Sequence, residues 1–130
     1  MTISNKKNSL KKTFRDAFRG IYLTFLTERN SRIHLSIAIL VTVSGFFFKI
    51  GLTKWMILLL LFAMVISAEM INTAIEKLAD ISEPNTNEKV REVKDIAAGA
   101  VLWTSIVSVI IGIIIFVPEI LEFIYTNPNY

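Results

Sequence analysis

WMILLLLFAMVISAEMINTAIEKLAD, residues 55–80, is apolar from Trp55 to Ile75 except for one carboxylate, Glu69. An α-helix needs roughly 20 apolar residues to cross the hydrocarbon of a bilayer, so this stretch reads as a transmembrane helix. Two further apolar runs flank it. Ile96 to Pro118 carries no charge at all. Ile33 to Phe48 extends to Thr53 if Lys49 snorkels to the interface. Three such runs in a chain of 130 residues, 53% of them hydrophobic, predict an all-α membrane protein. The expected layout is one domain over 1–130, with spans at about 31–49, 54–78 and 95–118.

Charge is distributed unevenly. Residues 1–32 hold eight Lys and Arg against two acids, and residues 76–95 hold four bases and six acids. The 49–54 turn has two bases and the segment after Pro118 has none. Basic residues mark cytoplasmic loops, so the N-terminus and the 76–95 segment are expected inside and the C-terminus outside. No small-x-small site follows Phe48, so a cleaved signal peptide is not expected. Between about residues 8 and 27, Phe14, Phe18, Ile21, Tyr22 and Phe25 recur at helical spacing. Lys11, Lys12, Arg15 and Arg19 lie mostly on the other faces. This pattern predicts an amphipathic helix in the anionic cytoplasmic interface. A soluble helix packing on a partner is the alternative. Ser82 to Asn87 carry turn chemistry.

Several chemistries are excluded. There is no Cys and one His, so thiolate nucleophiles, disulfides and multi-histidine metal sites are out within one chain. Neither common glycine-rich phosphate loop is present. Any chemistry must therefore happen at the membrane, on polar residues the spans themselves carry.

Such residues exist. Glu69 lies inside an apolar helix, where a charge costs about 3 kcal/mol, and a residue kept at that cost marks a function. At about 100° per residue, Asn72, Thr73, Glu76 and Asp80 fall with it on one face. The deep carboxylate, Glu69, is in a setting that disfavours its charged form and suits a general base. Asn72, about one turn along, is placed to orient that carboxylate or a hydroxyl. The outer Glu76 and Asp80, with Glu28 at the start of the first span, suit a hard divalent cation such as Mg2+. Lys94-Asp95 open the third helical segment at the same membrane surface, and a lysine there suits a phosphate. Singly, each outer charge could be a solvated helix end, and the stripe could be glue between helices. His34 could simply bond a backbone carbonyl. Ala97, Ala98, Gly99 and Gly112 read as close-packing positions between helices.

The string Ala68-Glu69-Met70-Ile71-Asn72-Thr73-Ala74-Ile75-Glu76-Lys77-Leu78-Ala79-Asp80 resembles the signature of the bacterial diacylglycerol kinase family, small membrane lipid kinases. Lys94-Asp95 followed by Ala97-Ala98-Gly99-Ala100-Val101, and Glu28-Arg29-Asn30 with Arg32-Ile33-His34, extend the resemblance over residues 10–117. It implies three spans plus the amphipathic helix, a homotrimer with shared sites, and residence in the bacterial inner membrane. It implies transfer of the γ-phosphate of Mg-ATP to a lipid hydroxyl. The implied roles are Glu69 as base, Glu28 and Glu76 as metal ligands, and Glu28, Glu76, Asp80, Lys94 and Asp95 around the nucleotide. Arg32, His34 and Ala98 fall with Glu69 at the lipid substrate. Where diacylglycerol kinases carry an acid and a serine, this chain has His34 and Ala98, and Asn85-Thr86-Asn87 replace an E-Y-H loop near the nucleotide. These departures look like the undecaprenol kinase branch, with undecaprenol as acceptor; diacylglycerol is the alternative. A proton-coupled transporter subunit would explain Glu69 but not the charges gathered at the cytoplasmic edge. A purely structural subunit would explain none of them.

Overall fold

The computed structural model describes residues 3–83 and 87–126, with side chains from Leu10 onward. These residues form four α-helices and, among them, no strand: α1 Ile3–Thr27, α2 Arg29–Phe47, α3 Leu52–Ser82 and α4 Glu88–Thr126. Helices α2, α3 and α4 are each long and apolar enough to cross a membrane. The expected all-α class, with three spans and an N-terminal helix, is therefore the observed one. The 39 residues of α4 rise about 58 Å, nearly twice the hydrocarbon thickness, so its ends project well beyond any one span. Pro118 stands inside α4 instead of ending it. A proline there removes one intrahelical hydrogen bond, a loss that membrane helices tolerate.

Two short breaks shape the chain. Between α1 and α2 only Glu28 leaves the helical conformation, with φ −97° and ψ 122°. It sits at the N-terminus of α2, the positive end of that helix dipole, which favours its charge. At the far end of α2, Lys49 N bonds Phe46 O at 3.2 Å and Ile50 N bonds Gly45 O at 3.1 Å. That pair of bonds is a Schellman closure, with Lys49 in the left-handed position at φ 53°. It turns the chain into α3 and drives Ile50 into the core, where it is buried with Leu58, Leu61 and Ile115. Val41, Phe48, Trp55, Phe62, Ile111 and Phe116 pack around them. A Lys54–Glu119 ion pair ties α3 to α4 at the same end. The packed core thus occupies the half of the bundle away from α1, and α3 against α4 is its main seam.

Gly45 is required by that packing. A Cβ built there would lie 2.8 Å from the Trp55 ring and 3.1 Å from Ile50. Gly45→Ala should therefore destabilise the α2–α3 hairpin by about 1–3 kcal/mol, the usual cost of overpacking. Thermal unfolding in detergent should show this, and Gly45→Ala/Trp55→Phe should recover part of the loss through their direct coupling. Full additivity of the two changes would mean that the contact is not what limits stability.

Helix α1 touches α2 and α3 only lightly. Of its described side chains Thr24 is buried, while Phe14, Phe18, Tyr22 and Leu26 are exposed. Unpartnered aromatic and aliphatic residues on a basic helix are what an interfacial helix presents to lipid. The outer faces of the three spans are likewise apolar and exposed, including Leu40, Leu59, Leu60 and Ile114. In a bilayer this carries no penalty, because lipid tails are as apolar as the residues they meet.

Candidate active site

The polar stripe of α3 dips from the surface into the bundle. Asp80 is exposed, Glu76 half-buried, and Thr73, Asn72 and Glu69 buried. Glu69 keeps only 2% of its surface accessible. The helix is long and regular here, so the one-turn spacing stacks these side chains against α2 and α4. His34 of α2 brings Nε2 to 3.5 Å from Glu69 Oε1, and that oxygen has no hydrogen-bond donor. The histidine therefore faces the carboxylate and not a backbone carbonyl. Asn72 Nδ2 donates to Glu76 Oε1 at 3.0 Å, while Asn72 Oδ1 is buried and unpartnered. An amide locked to Glu76 leaves its carbonyl oxygen free to accept from a hydroxyl.

These groups surround a cavity of about 330 Å3, lined by Asn30, His34, Glu69, Asn72, Glu76, Ala98 and Ser105 among others. Buried polar groups are nearly always satisfied. Oxygens of Glu69, Asn72 and Ser105 take no hydrogen bond from the protein, so each can accept from water or a ligand in the cavity.

The remaining expected residues lie outside the cavity lining, toward the end of the bundle where α1 meets α2. Glu28 accepts from Thr27 Oγ1 at 3.0 Å and pairs with Lys77 Nζ at 3.4 Å. Asp80 pairs with Lys94 Nζ at 2.8 Å, and that hydrogen bond holds the Lys94 ammonium above the usual lysine range. Asp95 faces Arg91 at 3.9 Å, both largely exposed. Arg32 donates weakly to the Leu26 carbonyl at 3.4 Å. Asn85 and Thr86, of the loop expected near the nucleotide, lie outside the described residues.

Among the described residues no group of three His, Asp or Glu is close enough to hold a metal alone. That does not exclude Mg2+, which is commonly held by one or two carboxylates with phosphates and water completing its shell. Glu76, at the cavity, and Glu28, at its rim, are oxygen donors of the right kind.

Sequence reasoning missed Asn30 and Ser105. The signal was present in the spacing. Asn30 is one helical turn before His34, and Ser105 follows Ala98 by seven residues, so each shares a face with a residue that was singled out.

The profile of the family described as Prokaryotic diacylglycerol kinase matches residues 15–116. Among named proteins, the chain is 39% identical over 116 residues to the undecaprenol kinase of Bacillus subtilis, covering 89% of this chain and 94% of that one. It is 32% identical over 111 residues to the diacylglycerol kinase of Synechocystis, covering 85% of this chain and 63% of that one. The matched region takes in the three spans' polar residues and the whole cavity around Glu69, and the chain is a membrane lipid kinase of the prokaryotic diacylglycerol kinase family.

Proposed function

We propose that this protein transfers the γ-phosphoryl group of ATP to the hydroxyl of undecaprenol, with Glu69 as the general base. The observation that carries the base is a buried carboxylate with an unpartnered oxygen, set in a polar cavity that opens onto an apolar groove. Undecaprenol is favoured over diacylglycerol by the 39% likeness to an undecaprenol kinase over nearly its whole length. His34 and Ala98 at the cavity, where a diacylglycerol kinase would carry an acid and a serine, point the same way.

In this reading the acceptor oxygen forms its bond to Pγ as the bond from Pγ to the bridging oxygen of ADP breaks. Glu69 takes the hydroxyl proton and releases it to water afterwards. Asn72 accepts from or orients the hydroxyl, and its bond to Glu76 couples the two ends of the stripe. Lys94 and Asp95 contact the nucleotide beside Asp80. Arg32 and His34 flank the lipid hydroxyl. Glu28 and Glu76 hold Mg2+, which neutralises phosphate charge when bound. Phosphoryl transfer needs positioning and charge neutralisation more than covalent help, and this inventory supplies both.

In this reading the site lies at the cytoplasmic leaflet of the bacterial inner membrane with the N-terminus inside, an orientation that the basic residues before Ile33 favour. The working unit in this reading is an oligomer, because three helices cannot alone enclose a triphosphate and a lipid, and the family resemblance implies a homotrimer. The deciding assay offers undecaprenol and diacylglycerol side by side with γ-labelled ATP and Mg2+. Label should enter undecaprenyl phosphate at least ten-fold faster. Preferential labelling of diacylglycerol would reassign the acceptor.

A further inference from the structure

A second cavity, of about 430 Å3, meets the polar one at His34 and Ser105. It runs between α2, α3 and α4, and nearly all its lining is apolar. Along α4 it extends from Ser105 through Gly112 to Ile120. The interval is 120 − 105 = 15 residues, about 22 Å of helix rise. On α2 its lining ends at Val41 and on α3 at Leu58, so its deepest part is walled by α4 and is open on the side that α2 does not cover. At the far end Phe48 packs against both Phe116 and Phe123, centroids 6.3 and 6.0 Å apart, on either side of Ile120. The groove is therefore finite, beginning at the base and stopped by aromatic packing.

We infer that this groove is the seat of the acceptor's chain and that it measures only the first few isoprene units behind the hydroxyl. This rests on the reading of a polyprenol as acceptor. Four backbone bonds of about 1.5 Å give an extended isoprene unit about 5 Å long. The groove then holds about four units. The rest of a longer chain leaves through the side that α2 does not cover and stays in the bilayer. Transfer from lipid into a protein groove has no hydrophobic drive, since both surroundings are apolar. Recognition must come from shape, and shape acts only on the units inside. Gly112 marks the middle of the groove, and a Cβ added there meets nothing within 4 Å. That open space suits the methyl branches of a prenyl chain.

The test is kcat/KM for geraniol, farnesol, geranylgeraniol and undecaprenol, each at the same mole fraction in mixed micelles with saturating Mg-ATP. Values should climb several-fold per unit up to geranylgeraniol and then level off, undecaprenol lying within about three-fold of it. A continued climb to undecaprenol, or a flat profile from geraniol onward, overturns the inference while leaving undecaprenol as acceptor. Diacylglycerol phosphorylated while every prenol stays inert overturns the acceptor assignment itself. Gly112→Phe should shift the plateau to shorter chains, shrinking the advantage of geranylgeraniol over geraniol. If it instead changes the oligomeric state in detergent and leaves the length profile intact, a second copy of the chain fills the groove and the inference fails. Should Gly112→Phe not fold, Gly112→Val applies a smaller block at the same depth, and the wild-type profile still decides.

Discussion

Glu69→Gln should insert, assemble and bind Mg-ATP normally, yet lose roughly 10²–10⁴-fold in kcat, the usual contribution of a general base. The replacement is nearly isosteric and keeps one acceptor oxygen, so the cavity beside His34 and Asn72 keeps its shape. What disappears is the capacity to take a proton. The variant should also be at least as thermostable as the parent, because a neutral amide costs less to hold in a membrane helix than a carboxylate. Glu69→Asp should fall between the two, since the carboxylate survives but retreats by one methylene from the hydroxyl. Rates are to be compared at saturating lipid and nucleotide, with ATP binding measured separately. A glutamine variant within a few-fold of wild type would leave Glu69 as a packing residue only.

The second large effect is expected at the two carboxylates proposed to hold Mg2+, Glu76 and Glu28. Glu76→Gln and Glu28→Gln should each weaken Mg-ATP use by roughly ten-fold or more, the usual scale for loss of a ligand-tuning group at a metal site. Stability should change little, because both side chains are only half-buried and a glutamine at 76 keeps an oxygen to accept from Asn72. Raised Mg2+ should rescue part of the loss in either variant and none of the loss in Glu69→Gln. If sites are shared across a trimer, mixing inactive Glu69→Gln protomers with inactive Glu28→Gln protomers should restore activity in the fraction of sites that receive both wild-type residues. Absence of any recovery in verified mixed trimers would put Glu28 and Glu69 of each site on one chain.

Much of this was legible before any coordinates. The spans follow from length and apolarity alone, because only a helix can satisfy its own backbone inside lipid. Glu69, Asn72, Thr73, Glu76 and Asp80 were identifiable as one face from a 3.6-residue period, and the graded burial along α3 is what that face does in a bundle. Helix ends were less legible. Glu88, Lys89 and Arg91 are good helix formers and carry α4 beyond the lipid, and Pro118 does not stop it. The Schellman turn at Lys49 was hidden because its left-handed position carries no glycine. His34 facing Glu69, and Ser105 joining two cavities, depend on how three helices rotate against one another. No pattern within a single helix specifies that rotation.

In the proposed mechanism the buried carboxylate of Glu69 accepts the proton in the transfer step itself. Single-turnover quench-flow isolates that step from lipid exchange and product release. Enzyme loaded with undecaprenol and in excess over γ-labelled ATP is mixed with Mg2+ to start the reaction and followed on the millisecond-to-second scale for wild type and Glu69→Gln. If Glu69 is the base, the first-turnover rate falls by the same factor as kcat while the bound ATP is unchanged. A first turnover at the wild-type rate, with the loss confined to later cycles, would contradict it.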